Sequence, residues 1–175
     1  DTERIVPGPR MNRYREEHGL GDRTVVMYAG NLGFSQPLEL VVEAAHRLRD
    51  RTDLVFVING GGSTRPALEE SAAGLDNLVF VDLQPVERLP EVLAAGDIHV
   101  IALREGLGRS SVPSKLYSIL AAGRPVLASV DAGTEVVRVV ESQGAGLVVA
   151  PEDADAFVAG VSSLVDADRD SMGER

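Results

Sequence analysis

Short β-rich runs alternate with amphipathic helical stretches along most of this 175-residue chain. Thr24–Ala29 reads as a first strand and Pro37–Arg49 as the helix after it. In that helix Leu38, Val41, Val42, Ala45 and Leu48 recur on one face. Leu54–Ile58 is an almost continuous apolar run, the pattern of a strand covered on both sides. Arg65–Ala73 then reads as helix, Leu78–Val81 as strand, and Val86–Ala95 as a helix punctuated by Pro90. A strand at Ile98–Leu103 leads through a long polar loop into a helix over Leu116–Ala122 that stops at Gly123. Pro125–Ser129 and Leu147–Ala150 complete the strands, followed by helices at Thr134–Ser142 and Ala154–Val165. Six βα units in succession predict an α/β, doubly wound (Rossmann-like) parallel sheet of about six strands with helices on both faces.

The ends depart from this rhythm. Residues 1–22 carry Pro7, Gly8 and Pro9 beside the charged stretch Arg10–His18, which reads as a linker and surface helix. Residues 166–175 are charged and poor in apolar side chains, the composition of a frayed tail. Residues 23–165 form the globular unit between them.

Composition narrows the chemistry. A net charge of −10, aromatics at 4% and no Trp argue against nucleic acid as a partner. Without cysteine there is no disulfide framework and no thiolate chemistry. No apolar run reaches the length of a membrane span and no signal peptide is visible, so a cytoplasmic location is expected. His18, His46 and His99 lack metal-ligand spacing, and no carboxylates cluster to hold Mg²⁺, so no metal and no cofactor are expected.

Against the acidic background, residues 104–124 hold Arg104, Arg109, Lys115 and Arg124 with only Glu105 in opposition. Lys115 is the single lysine of the chain and stands where a helix begins, behind Ser114. A cation there opposes the helix dipole, yet with the free N–H groups of a first turn it forms a receptor for an anion such as phosphate. Parallel doubly wound sheets bind ligands beyond the carboxyl ends of their strands. Three loops should meet there: Gly30-Asn31-Leu32-Gly33, then Gly60-Gly61-Gly62-Ser63, then the long loop from Arg104 to Pro113. Glycines at such turns let a phosphate approach backbone N–H groups, although strand-to-helix turns also need glycine for themselves. Neither glycine loop has the G-x-G-x-x-G or Walker A spacing, which weakens dehydrogenase and P-loop ATPase readings. Arg104 and Arg109 are placed to pair with phosphate oxygens, and Glu105 to hydrogen-bond sugar hydroxyls or a neighbouring arginine.

Five motifs occur in order: Tyr28-Ala29-Gly30-Asn31-Leu32-Gly33, Gly60-Gly61-Gly62, Val112-Pro113-Ser114-Lys115-Leu116-Tyr117, Ala121-Ala122-Gly123-Arg124-Pro125-Val126 and Gly133-Thr134-Glu135. Over roughly residues 23–165 the chain resembles the C-terminal, nucleotide-sugar-binding domain of family 4 retaining glycosyltransferases of the GT-B fold. The likeness is closest to the bacterial capsule and O-antigen branch that transfers N-acetylated amino sugars such as N-acetyl-fucosamine. The resemblance implies a nucleoside-diphosphate sugar as donor, UDP-linked by analogy, and transfer of a hexose or N-acetyl amino sugar with retention. It also implies a partner N-terminal acceptor domain outside this sequence and a glycan or lipid-linked acceptor at the inner face of the membrane. The chain alone is then expected to be inactive.

Carried onto this sequence, the resemblance implies Glu105 as the catalytic carboxylate. It implies donor and diphosphate contacts from Gly30, Asn31, Gly33, Gly61, Gly62, Arg109, Ser114, Lys115, Ser118 and Glu135, and base contacts from Leu83 and Gln84. Two departures stand out. Where many relatives place an arginine and a lysine near the first loop, this chain has Asn31 and Gln36. The second glutamate of the family's E-x7-E motif is replaced by Ser118. Diphosphate charge must then fall to Lys115 and Arg109. Two alternatives stand beside this reading: a non-catalytic nucleotide-sensing or interaction module on the same scaffold, and a nucleotide-sugar epimerase.

Overall fold

In the computed structural model, which describes residues 4–108 and 114–173, six strands lie parallel in one sheet. They are β1 (Thr24–Ala29), β2 (Leu54–Asn59), β3 (Leu78–Val81), β4 (Ile98–Ala102), β5 (Val126–Ser129) and β6 (Gly146–Val149). Their spatial order is β3-β2-β1-β4-β5-β6, with β1 registered against β2 from Thr24↔Leu54 to Ala29↔Asn59. The helices are α1 (Arg13–Glu17), α2 (Glu39–Arg47), α3 (Arg65–Ser71), α4 (Leu89–Ala95), α5 (Lys115–Ala121), α6 (Glu135–Ser142) and α7 (Ala154–Gly173). The doubly wound, Rossmann-like reading of the sequence is what the structure shows.

Strand alternation divides the core. Val26, Tyr28, Phe56 and Ile58 pack toward α2, α3 and α7, while Val25, Met27, Val55 and Val57 pack toward α1 and α4. Ile101, Val126 and Ala128 meet α5 and α6. All six residues of β2 are buried, because the strand lies inside the sheet with helices on both faces.

Three expectations are corrected. The helix expected over Val86–Ala95 is a 3-10 turn, Val86–Arg88, that passes into α4. Pro90 falls in the first turn of α4, where its missing N–H costs no intrahelical bond. The tail expected to fray is helical to Gly173. Asp168 Oδ2 accepts from Thr24 Oγ1 at 3.0 Å, and Arg51 Nη2 lies 3.0 Å from Asp166, so contacts with the sheet edge hold a segment of low apolar content.

The segment expected as a surface helix keeps Arg13, Glu16 and Glu17 exposed but sinks its other face into the core. Tyr14, Arg15 and Leu20 are all buried. Asp97, just before β4, receives Arg10 Nε at 2.8 Å, Arg15 Nη2 at 2.6 Å and the Val25 N–H at 2.8 Å. Burial pushes the Asp97 carboxyl upward, but the Arg10 hydrogen bond, the Arg15 charge and the Val25 N–H outweigh it and hold the group below its ordinary pKa. For Arg15 burial prevails, and its pKa is lowered despite Asp97.

Removing one member of a buried ion cluster costs more than the cluster contributes, because the remaining charges lose their partner. Asp97→Ala should therefore destabilise the fold by about 3–5 kcal/mol, read from the midpoint of a urea unfolding curve. A loss below about 1 kcal/mol would show that Arg10 and Arg15 are satisfied without it.

Candidate functional site

Strand order reverses between β1 and β4, so the loops leaving their carboxyl ends diverge and open a crevice. The loops after β1 and β2 meet there backbone to backbone. Leu32 N donates to Gly61 O at 3.0 Å, and Thr64 donates to Leu32 O through N at 3.0 Å and Oγ1 at 2.8 Å. A Cβ on Gly60 would lie 1.9 Å from Gly30 O, and one on Gly62 would lie 2.4 Å from Leu32 O. Gly60 and Gly62 are thus required by loop-on-loop packing, the need that such turns have of glycine in themselves. Gly61 differs, since it is exposed and a Cβ there would meet nothing within 4 Å. In the first loop Gly33 N donates to Gln36 Oε1 at 3.3 Å, and Asn31, itself exposed, accepts from Tyr28 Oη at 2.6 Å through its backbone carbonyl.

Lys115 opens α5 and reaches across to this crevice. Its Nζ stands 3.9 Å from the centre of the Tyr28 ring, and a Cβ on Gly30 would lie 3.0 Å from it. No hydrogen-bond acceptor or carboxylate among the described residues partners the ammonium. Burial alone lowers its pKa to about 8. The ring face replaces part of the lost hydration, worth about 0.5–2 kcal/mol for a cation over an aromatic face. A cation so placed, beside a side-chain-free turn, can receive an anion.

Two cavities adjoin Lys115. One of 160 Å³ is lined by Lys115, Ser114, Ser118, His99, Leu89 and Ala29 among others. The His99 ring is spent on Leu93 O at 2.9 Å, and burial depresses its pKa to about 4, so it is neutral at pH 7. The second cavity, of 330 Å³, shares Ala29 and Leu89 with the first and continues past Gly30 to Leu83, Gln84 and Val86. Leu83 and Val86 are 73% and 75% exposed, an apolar shelf beside the crevice. The structure therefore places Ser114, Lys115 and Ser118 around one cavity and Gly30, Leu83 and Gln84 around its neighbour, with Ala29 and Leu89 as shared walls.

The remaining candidates lie elsewhere or are otherwise engaged. Arg104, expected to face phosphate, is clamped instead. Its Nε donates to Phe34 O at 2.5 Å, its guanidinium stacks 4.5 Å over the Phe34 ring, and it pairs with Glu39 at 2.8 Å and Glu152 at 3.0 Å. Glu105 is therefore not the partner of Arg104, and it is exposed on a loop whose next turn is held by Asp131 accepting from Gly106 N at 2.9 Å. Glu135, at the start of α6, is ion-paired with Arg138, and no described contact joins it to Lys115. Arg124 belongs to the opposite edge of the sheet, donating to Gly8 O and Ala94 O. Arg109 lies outside the described residues. Among the described residues no group of three or more His, Cys, Asp or Glu could hold a metal ion.

Sequence reasoning overlooked Tyr28, the ring beneath the ammonium, and Asp131, the anchor of the loop after β4. The only signal for Tyr28 was an aromatic two positions before a glycine turn. Asp131 carried none, because its partners lie 25 residues away.

The pattern of residues 23–167 matches the family described as glycosyl transferases group 1. The chain belongs to that family. A putative colanic acid biosynthesis glycosyl transferase of Escherichia coli, WcaI, is 39% identical over 80% of this chain and 35% of its own length. A GDP-mannose-dependent alpha-(1-6)-phosphatidylinositol monomannoside mannosyltransferase of Mycolicibacterium smegmatis is 31% identical over 94% of this chain and 45% of its own length. The chain thus spans less than half the length of these group 1 relatives. HepE of Anabaena, solved in complex with UDP-glucose, superposes with a TM-score of 0.78 over 97% of this chain and 46% of that protein, at 14% identity. The C-terminal domain of LpcC from Francisella tularensis superposes at 0.73 over 95% of this chain and 87% of that domain, at 22% identity. These two likenesses bear on the group 1 fold, a half-domain of the GT-B type. Among the described residues no helix is long and apolar enough to cross a membrane.

Loop packing separates neighbouring glycines experimentally. Gly61→Ala should leave the thermal midpoint within about 1 °C of the parent, whereas Gly60→Ala should lower it by roughly 5 °C or more by forcing the two loops apart. Equal midpoints for the two variants would contradict the backbone contact.

Proposed function

We propose that this chain is the nucleotide-sugar donor-binding domain of a retaining glycosyltransferase, which moves a hexose or N-acetyl amino sugar onto a glycan or lipid-linked acceptor. One observation carries the reading: the Lys115 ammonium, unpaired among the described residues, set beside Gly30 in the crevice between β1 and β4. The family match and the UDP-glucose complex of HepE support a nucleoside-diphosphate sugar, probed most directly with UDP. The acceptor belongs to an N-terminal domain of the same protein, so the chain alone binds donor without transferring it.

In this reading the diphosphate lies against Gly30 and Lys115, with N–H groups of Asn31 and Gly61 and the hydroxyls of Ser114 and Ser118 near it. Arg109 adds a second cation. The base enters the 330 Å³ cavity over Leu83 and Gln84. As the bond from the sugar's anomeric carbon to the diphosphate breaks, negative charge grows on the leaving oxygen. A preorganised, poorly hydrated ammonium stabilises that charge more than the ground state. Glu105, on the loop fixed by Arg104 and Asp131, is assigned to the sugar hydroxyls and Glu135 to the far side of the donor.

Calorimetric titration with UDP tests the reading. Lys115→Ala should weaken binding about tenfold to hundredfold, the loss of one or two charge-assisted hydrogen bonds. Because only the protonated amine attracts the anion, and the terminal phosphate of UDP takes up a proton itself at about pH 6, affinity should be flat between about pH 7 and pH 8. Above that it should fall, approaching tenfold per pH unit as the free protein loses the proton. Lys115→Arg should remove the slope, since a guanidinium stays charged throughout. A parent protein that binds no nucleotide, or a Lys115→Ala variant with parental affinity, would refute the assignment.

A further inference from the structure

Asn59, the last residue of β2, lines the 330 Å³ cavity and is buried to 3% exposure. Its Oδ1 accepts from Tyr14 Oη at 2.7 Å, while its Nδ2 has no partner among the described residues. The other polar side chain of the lining, Gln84, is engaged at both ends. Its Nε2 donates to Asp82 O at 2.9 Å, and its Oε1 accepts from Arg88 Nη1 at 3.0 Å. The remaining walls, Ala29, Gly30, Leu83, Pro85, Val86, Leu89 and Val92, contribute no side-chain polar atom. One oriented amide donor therefore faces an otherwise apolar space.

Tyr14 decides which end of that amide points inward. Burial raises the pKa of its hydroxyl far above the working range, so the oxygen keeps its proton. With no other acceptor for that proton among the described residues, the phenol donates it to the carboxamide oxygen, which places Oδ1 toward Tyr14. Tyr14 is itself held: its backbone N donates to Glu91 Oε1 at 3.0 Å, and its ring packs 4.7 Å from that of His18. The Nδ2 hydrogens are thus turned away from α1.

A buried donor discriminates strongly, because a ligand that fails to offer an acceptor leaves it unpaired. Uracil and guanine carry a carbonyl oxygen at the edge where cytosine and adenine carry an amino group. Resting on the reading of this cavity as the base subsite, we propose that Asn59, oriented by Tyr14, selects a nucleobase that presents a carbonyl oxygen over one that presents an amino group. The N-terminal segment thereby helps to set base choice through α1.

Titration of the chain with UDP, CDP, GDP and ADP tests the inference. UDP should bind about tenfold to hundredfold more tightly than CDP if the base is a pyrimidine, and GDP than ADP by the same margin if it is a purine. Tyr14→Phe keeps the ring and frees the amide to turn, so this ratio should shrink toward one while the melting curve reports the fold. Asn59→Asp offers acceptors in place of donors and should reverse the order, whereas a merely structural role would weaken all four nucleotides alike. Equal affinities in the parent, or an unchanged ratio in both variants, would overturn the role of Asn59 and leave the donor-domain reading standing. Failure of all four nucleotides to bind would remove both.

Discussion

Two stretches of backbone meet with no side chain between them where β1 and β2 end, and the geometry of the crevice follows from that meeting. Gly60 accepts the Gly30 carbonyl into space a Cβ would occupy, so the first loop is held down over the second. With that loop fixed, the turn at Gly30 is bare on the side facing α5. Lys115 reaches the turn from across the strand-order reversal, and Tyr28, two residues earlier on β1, supplies the surface it rests on. Loop packing, the cation and the aromatic ring form one arrangement contributed by β1, β2 and α5.

The distribution of charge explains why this cation matters in a chain of net charge −10. Most described arginines are committed to structure. Arg10 and Arg15 serve Asp97, Arg51 joins Asp53 and Asp166, Arg65 joins Glu69 and Asp82, and Arg104 bridges Glu39 and Glu152. A guanidinium suits such work because its planar fork satisfies two carboxylate oxygens or several carbonyls together. The single lysine is a compact charge whose proton affinity responds to burial. In this crevice burial brings its pKa down to about 8, close to physiological pH.

Membership of the glycosyl transferases group 1 family gives this arrangement a chemical setting. The neutral residues Asn31 and Gln36 stand where charge was expected in the first loop, and the structure uses Gln36 to close that loop on Gly33. With those two positions neutral, the Lys115 ammonium is the described cation standing against the Gly30 turn. The apolar shelf of Leu83 and Val86 and the amide of Asn59 belong to the adjoining cavity, whose lining does not include Lys115.

Strand and helix periodicity is local, and the alternation of β-rich and amphipathic runs was enough to determine the six parallel strands, the two-sided core and the edge at which a ligand would sit. Lys115 and the glycine turns were legible for the same reason: each is unusual within its own few residues. Tertiary structure alone decided what each group does there. One face of the surface helix is anchored in the core because Asp97, 82 residues from Arg15, accepts its charge. Arg104 is held by Glu39 and Glu152, and Gly62 packs against the Leu32 carbonyl where a Cβ would not fit. Asn59 read as one more strand residue until Tyr14, 45 positions earlier, turned its amide. A side chain's partner depends on which distant segments the fold brings within about 3 Å, and no short-range period encodes that distance.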